Sequence, residues 1–179
     1  ENLQAICEAV SFASNQGASI CGFSELALTG FHREIGREAR PEIVDVALEK
    51  VRQQAGKLSV GVAIGAPTFG EGGAKFNSHV LIDEDGEIAA VVSKRGLTAP
   101  EATFFATGSS RPIGVVQGCA ARRLFAARLK TSNSSQWSCP LALPSSSLCL
   151  ALFGKTLTNR DPILPSTCMT SRAWQPPLS

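Results

Sequence analysis

Residues 17–31 constrain the fold of this chain most, because they join the end of a helix to a buried strand and then to a single carboxylate. Residues 2–16 place apolar side chains at helical spacing, and Gly17 supplies the C-terminal stop. Residues 18–23 are an apolar run that predicts a buried strand with Glu25 at its exit. Ligands of open α/β sheets bind beyond the carboxyl ends of the strands, which makes this carboxylate a candidate functional group. On spacing alone, a solvated or helix-capping glutamate is the alternative.

The alternation of helical and strand-like patterns continues after this stretch. Pro41 begins a second predicted helix, which Gly56 ends. Residues 59–66 form a continuous apolar run rich in β-branched side chains, which predicts a strand covered on both faces and closed by Pro67. The side chains that we assign to the inner face of the second helix are Ile43, Val46, Ala47 and Val51.

A β-hairpin is predicted next. Residues 76–82 and 87–93 are strand-like, and residues 83–86 between them end in the Asp-Gly pair that a tight turn needs. Lys94 stands at the exit of the second strand, and residues 112–116 predict one more strand. The order of these elements predicts an α/β fold whose first strand would precede residue 1.

The composition changes near residue 118. Residues 1–118 carry 14 acidic and 10 basic side chains, whereas residues 119–179 carry one acid and seven bases. Fifteen of the 16 glycines lie in the first segment. We therefore predict two units, a folded domain over 1–118 and a low-order tail over 119–179.

The six cysteines show no C-x-x-C pair and no metal-ligand spacing with His32 or His79, so we expect neither a metal nor a cofactor. No signal peptide is evident, and reduced thiols favour a cytoplasmic location. Pro144 interrupts the apolar run 141–153, which is too short to span a bilayer. The scattered basic residues of the tail make a weak footprint for nucleic acid, so neither a membrane nor a nucleic-acid partner is expected.

Taken together, the ordered motifs of residues 1–118 resemble the nitrilase superfamily of carbon–nitrogen hydrolases. The resemblance implies a partial four-layer αββα sandwich that lacks its first strand and C-terminal half and ends in an irregular tail. The matching motifs are Gly17-Ala18, Glu25, Thr29-Gly30-Phe31, Gly65-Ala66-Pro67, Phe76-Asn77-Ser78, Ile82-Asp83, Asp85-Gly86-Glu87-Ile88, Ser93-Lys94, Leu97, Glu101, Phe105 and Gly108.

The resemblance also implies a chemistry, the hydrolysis of a small amide or nitrile through a Glu-Lys-Cys triad and a thioester. Glu25 would be the general base that takes the thiol proton and later activates water. Lys94 would hold positive charge beside the tetrahedral intermediate, and Glu101 would position the lysine and the substrate. No cofactor is implied. Family members often dimerise, so a homo-oligomer is one expectation.

The family cysteine is where this sequence departs from the pattern. Cys119 lies 25 residues beyond Lys94 without the family's flanking residues, and a buried or incidental thiol is the alternative reading of it. Residues 125–132, read one base out of frame, permit Cys-Arg-Glu-Ile-Glu-Asp-Phe, which has the missing Cys-x-Glu form. We therefore hypothesise a frameshift between about residues 117 and 124. This chain would then be inactive.

A different class of function remains open at this point. Half a sandwich could serve as a non-catalytic binding or assembly module, with a disordered tail as its interaction segment. A nucleotide-binding α/β domain is disfavoured, because no G-x-G-x-x-G follows a strand.

Overall fold

The computed structural model describes residues 2–32, 34–110, 112–121 and 148–150, with the backbone alone for 119–121 and 148–150. The helices are α1 (Asn2–Asn15), α2 (Ile35–Glu38) and α3 (Pro41–Leu58). Short 3₁₀ turns occupy Glu71–Gly73 and Glu101–Thr103. The strands are β1 (Ile20–Gly22), β2 (Gly61–Phe69), β3 (Lys75–Ile82), β4 (Ile88–Ser93), β5 (Gly114–Val116), β6 (Cys119–Ala121) and β7 (Leu148–Leu150).

The central sheet has the strand order β4-β3-β2-β1-β7. Strand β1 runs parallel to β2 and to β7, whereas β2, β3 and β4 form an antiparallel series. The parallel pairing of β1 and β2 agrees with the predicted helix-strand order. The predicted hairpin is confirmed, and Gly86 in its turn has the expected positive φ of 81°.

Different layers cover the two faces of the sheet. Helices α1 and α3 pack on one face, which we call the helix face. The β5–β6 hairpin packs through Val116 on the opposite face, which we call the hairpin face. Side chains of alternate strand residues supply both cores, as the two-residue period of a strand requires. The described layers therefore follow the order expected for a partial αββα sandwich.

Strands β6 and β7 belong to the segment that the composition assigned to a low-order tail. Three residues of each have strand backbone, and β7 adds a strand to the edge of the central sheet beside β1. The remainder of that segment, residues 122–147 and 151–179, lies outside the described residues.

Helix α3 ends later than predicted. Gly56 is inside the helix, and the chain leaves it at Ser59, whose left-handed φ of 50° and N–H bonded to the Ala55 and Gly56 carbonyls form the cap. The absence of a side chain at Gly56 instead allows helix α3 to approach the backbone of the β3–β4 turn closely. A Cβ there would lie 2.8 Å from the carbonyl oxygen of Asp85 in the hairpin turn.

The predicted inner face of α3 is also wrong in part. Ile43 and Val46 are 50% and 56% exposed, respectively. The sequence carries two overlapping apolar stripes at helical spacing, and periodicity does not choose between them. The rotation that the structure shows brings Gly56 against the β3–β4 turn at Asp85. The residues that α3 buries are Val44, Leu48, Val51 and Ala55.

Pro67 does not close β2, which continues to Phe69. The carbonyls of Ala63 and Gly65 accept hydrogen bonds from the β1 side, and Pro67, two residues on, has its backbone facing the same way. Because β1 ends at Gly22, opposite Ala63, no ladder bond requires an N–H at the proline.

Candidate functional site

The turn that follows β1 carries Glu25 across the hairpin face of the sheet. The N–H of Leu28 donates to the carbonyl of Gly65 at 3.1 Å, which fastens the turn to β2. A Cβ on Gly65 would lie 2.3 Å from the oxygen of Ser24 and 2.4 Å from the nitrogen of Leu26. The glycine therefore provides the space in which the Glu25 turn lies.

Lys94 follows β4 and points towards the same place. Its N–H donates to the carbonyl of Asn77 at 2.7 Å, and its own carbonyl accepts from the N–H of Gly108 at 2.9 Å. The side chain is 5% exposed, and Nζ donates to Glu25 Oε1 at 2.7 Å and to Glu101 Oε1 at 2.6 Å. Two carboxylates thus hold one buried ammonium.

Glu101 opens the 3₁₀ turn after the loop that follows β4. Its second oxygen, Oε2, accepts hydrogen bonds from the Thr98 N–H at 2.7 Å and from Thr98 Oγ1 at 2.8 Å. Its other oxygen, Oε1, accepts a hydrogen bond from Lys94, so both oxygens of the carboxylate are hydrogen-bonded. It is 8% exposed, whereas the Glu25 side chain is 31% exposed and remains open to a ligand.

Asn77 completes the cluster and was not among the residues predicted for the site. Its Nδ2 lies 2.5 Å from Glu25 Oε1 and 3.4 Å from Glu101 Oε1. Its side chain is fully buried, and its Oδ1 has no hydrogen-bond partner within the described structure. The signal in the sequence was its place in the Phe76-Asn77-Ser78 motif, which by itself gave no role.

The electrostatics keep Lys94 and Glu101 charged. Burial opposes the charge of Lys94, but its hydrogen bonds to Glu101 and Glu25 outweigh burial and raise its pKa. Burial likewise opposes the charge of Glu101, but the hydrogen bonds from Lys94 and Thr98 prevail and lower its pKa to about 2. Lys94 and Glu101 are therefore both charged at neutral pH, and Glu25 is the ionisable side chain of the cluster that is most open to solvent.

Cys119 is brought to another part of the molecule. Val116 pairs with Cys119 across a two-residue turn, in which the N–H of Gln117 donates to Glu84 at 2.8 Å and Gln117 Nε2 donates to the Ser59 carbonyl at 2.9 Å. Those partners lie in the β3–β4 turn and just before β2. The backbone of Cys119 is therefore at the end of the sheet opposite to the carboxylate-lysine cluster.

The cysteines whose side chains the structure describes, Cys7 and Cys21, lie elsewhere as well. Cys7 is on α1, where burial raises the pKa of its thiol. Cys21 is buried in the helix-face core, on the other side of the sheet from the cluster. The remaining predicted residues, Glu25, Lys94 and Glu101, are brought together.

The described part of the chain contains no group of three or more histidine, cysteine, aspartate or glutamate side chains arranged to hold a metal ion. Within that same part, no helix has the length and apolarity to cross a membrane.

Comparison with known proteins points to one family. A sequence model described as carbon-nitrogen hydrolase matches residues 1–122. No match was found among curated proteins.

Solved structures with a similar fold include amidases from Nesterenkonia sp. AN1. The NitN amidase is 28% identical with a TM-score of 0.63 over 69% of this chain and 49% of its own. A glutamate-to-glutamine mutant of that amidase, with acrylamide added at its active-site cysteine, is 26% identical with a TM-score of 0.62 over 69% and 50%. A cysteine-to-alanine mutant in complex with butyramide is 28% identical, with a TM-score of 0.63 over 69% and 48%.

The chain spans about half the length of these amidases. The family match covers more than half of the chain and contains every residue of the carboxylate-lysine cluster. The protein is therefore a member of the carbon–nitrogen hydrolase family, in the nitrilase superfamily.

Proposed function

We propose that this chain carries the acid-base part of an amide-hydrolysing active site. The observation that supports this most directly is that Lys94 Nζ is shared between Glu25 Oε1 and Glu101 Oε1 at 2.7 and 2.6 Å. Glu25, the more exposed of the two carboxylates, is the group that can receive and return a proton. Lys94 is an ammonium held beside it.

The proposed reaction uses a cysteine thiol as nucleophile. Glu25 takes the thiol proton while the sulfur attacks the amide carbon, and the carbonyl oxygen becomes an oxyanion beside Lys94. The carbon–nitrogen bond then breaks, and Glu25 returns its proton so that ammonia leaves and a thioester remains. Water, deprotonated by Glu25, attacks the thioester and releases the carboxylic acid and the thiol. Glu101 keeps Lys94 in place throughout.

The substrate that we propose is a small amide. The neighbouring Nesterenkonia amidase was solved with butyramide and with acrylamide. In this chain His32 and residues 37–40 help to line a cavity of about 570 Å³, and its lining includes no residue of the carboxylate-lysine cluster. We place specificity in the segment 32–40. The lining residues of the cavity are Leu28, Thr29, His32, Arg37, Glu38, Ala39, Arg40 and Ile43.

We also propose that this chain itself does not hydrolyse amides, because the family cysteine is encoded out of frame. The family match ends at residue 122, inside the interval 117–124 where the frame was hypothesised to change. Codons for residues 125–132 that forbid the shifted cysteine would contradict this hypothesis, so sequencing the gene tests it directly.

Ammonia release from a panel of small amides and nitriles tests the function itself. Two purified proteins are compared, the chain as given and a version restored to the shifted frame after Gln117. We expect release by the restored protein alone, and we expect Glu25→Gln in that protein to abolish it. Release by both proteins, lost on Cys119→Ala, would make Cys119 the nucleophile and overturn the frameshift hypothesis. Release by neither would overturn the hydrolase proposal in favour of a binding or assembly module.

A further inference from the structure

One buried histidine lies next to the site without belonging to it. His79, on β3, is 1% exposed, and its Nε2 is 3.2 Å from the carbonyl oxygen of Phe23. A carbonyl oxygen only accepts hydrogen bonds, so this contact requires a proton on Nε2. The imidazole is therefore the donor to the backbone.

The carbonyl that His79 contacts is two residues before Glu25. In the strand register His79 is paired with Gly65 on one side and with Val92 on the other, so its side chain is on the hairpin face. Gly65 is the residue whose missing Cβ makes room for the backbone around Glu25. The His79 ring and Gly65 therefore contact the same turn. The ring donates a hydrogen bond to it, and the glycine has no side chain that would clash with it.

We propose that His79 is a positioning residue, which holds the turn carrying Glu25 through the Phe23 carbonyl and so keeps the Glu25 carboxylate on Lys94 Nζ. Its importance for catalysis depends on the proposed role of Glu25 as the base, but the positioning itself does not. Asn77 holds Glu25 at its carboxylate, two residues earlier on the same strand. His79 acts on the backbone of the same turn.

The alternative is that His79 only fills space in the core. Its neighbours in the register are a glycine and a valine, and the next residue on the same face of β3, Leu81, belongs to the apolar hairpin-face core. Leu81 is on the same strand and face, is equally buried, and is two residues further from the site. It provides a matched control for loss of packing.

The first test uses the unchanged protein. Long-range ¹H–¹⁵N correlation of the imidazole in protein labelled with ¹⁵N-histidine identifies which ring nitrogen carries the proton at neutral pH. We expect a protonated Nε2. A neutral ring with its proton on Nδ1 alone would overturn the proposal, whatever the variants do.

The second test measures the consequence at Lys94. Trace acylation followed by mass spectrometry compares labelling of Lys94 with that of exposed Lys57 in the same sample. His79→Met removes the hydrogen bond to the Phe23 carbonyl, so the Glu25 carboxylate should move away from Lys94 Nζ. The labelling of Lys94 should then rise several-fold. His79→Gln keeps an N–H donor near the same reach and should restore slow labelling, and Leu81→Ala should leave it slow.

Equal labelling of Lys94 in the wild type and in both His79 variants would overturn the proposal, as would equal acceleration by Leu81→Ala. If His79→Met does not fold, the tautomer in the unchanged protein decides. Neither test requires amide hydrolysis, so a failure here is distinct from a failure of the proposed function.

Discussion

Asn77 is the neutral member of the candidate site, and its amide lies between the two carboxylates. Its amide donates towards Glu25 Oε1 at 2.5 Å and Glu101 Oε1 at 3.4 Å, so one neutral donor serves two carboxylates that also share Lys94. A neutral donor stabilises this arrangement without adding charge to it. A carboxylate in the same place would accept instead of donating and would repel both neighbours.

Substitution of Asn77 tests this role. We expect Asn77→Ala to lower the free energy of unfolding by about 1–3 kcal/mol, because the buried Glu101 and the partly exposed Glu25 both lose a donor. The nearly isosteric Asn77→Asp should cost at least about 1 kcal/mol more at pH 7, because it places a third carboxyl group in the cluster. Urea unfolding of the three proteins measures both effects. An aspartate variant as stable as the wild type would contradict the assigned hydrogen bonds.

At this scale the sequence predicted three members of the cluster, but it missed the fourth, Asn77, and the neighbouring His79. Glu25, Lys94 and Glu101 each follow a strand or loop in an ordered set of motifs, and the structure brings them together. Asn77 and His79 lie within a strand, where an isolated polar residue is ordinarily taken to face solvent. The sequence patterns did not show that the turns carrying Glu25 and Glu101 lie over that part of β3.

At the scale of elements, the site depends on how closely the Glu25 turn lies on β2. We expect Gly65→Ala to destabilise the fold by about 1–3 kcal/mol, because its Cβ would overlap the backbone of Ser24 and Leu26. Gly70→Ala is the control, since its Cβ would meet only the ring of Phe76, 2.8 Å away, which can move. Thermal and urea unfolding of both variants measure the difference. Equal losses would show that the turn is not held as closely as described.

The element boundaries show where sequence patterns stop being informative. The hairpin turn was predicted correctly because an Asp-Gly pair has few other backbone solutions. The end and inner face of α3 were not, because Gly56 serves the contact with the turn at Asp85 and not the end of the helix. Pro67 was taken as a strand end, although its position depends on where the neighbouring strand finishes. Each of these errors concerns a contact between elements distant in sequence.

At the scale of the molecule, the cluster links the β1 turn, β3, β4 and the Glu101 turn, so its ionisation should affect global stability. The pKa of Glu101 is lowered from 4.5 to about 2 in the folded protein. A lowered pKa stabilises the fold above the unfolded value, and this contribution is lost as the pH falls from about 4.5 to about 2. The raised pKa of Lys94 acts at the other end, where its contribution is lost as the pH rises above its ordinary 10.5.

Glu101→Gln should therefore be less stable than the wild type at pH 7 and approach it at pH 2. We expect the difference in free energy of unfolding to shrink by roughly 2–3 kcal/mol over that range. Urea unfolding at pH 7, 4 and 2 measures it, with Glu87→Gln as a control because that glutamate is 72% exposed. A gap that stays constant with pH would contradict the assigned ionisation.

The shared ammonium has a consequence for how charge moves during the proposed reaction. Two carboxylates around one lysine leave the cluster with a net charge of −1. A thiol that gives its proton to Glu25 turns the cluster neutral as the sulfur becomes negative, so the total charge of the site does not change. The negative charge is displaced from the carboxylate to the reacting atoms and is not created in a buried space. Without Lys94, proton transfer from the cysteine to Glu25 would likewise leave the total charge unchanged. No ammonium would then stabilise the negative charge that has moved to the reacting atoms.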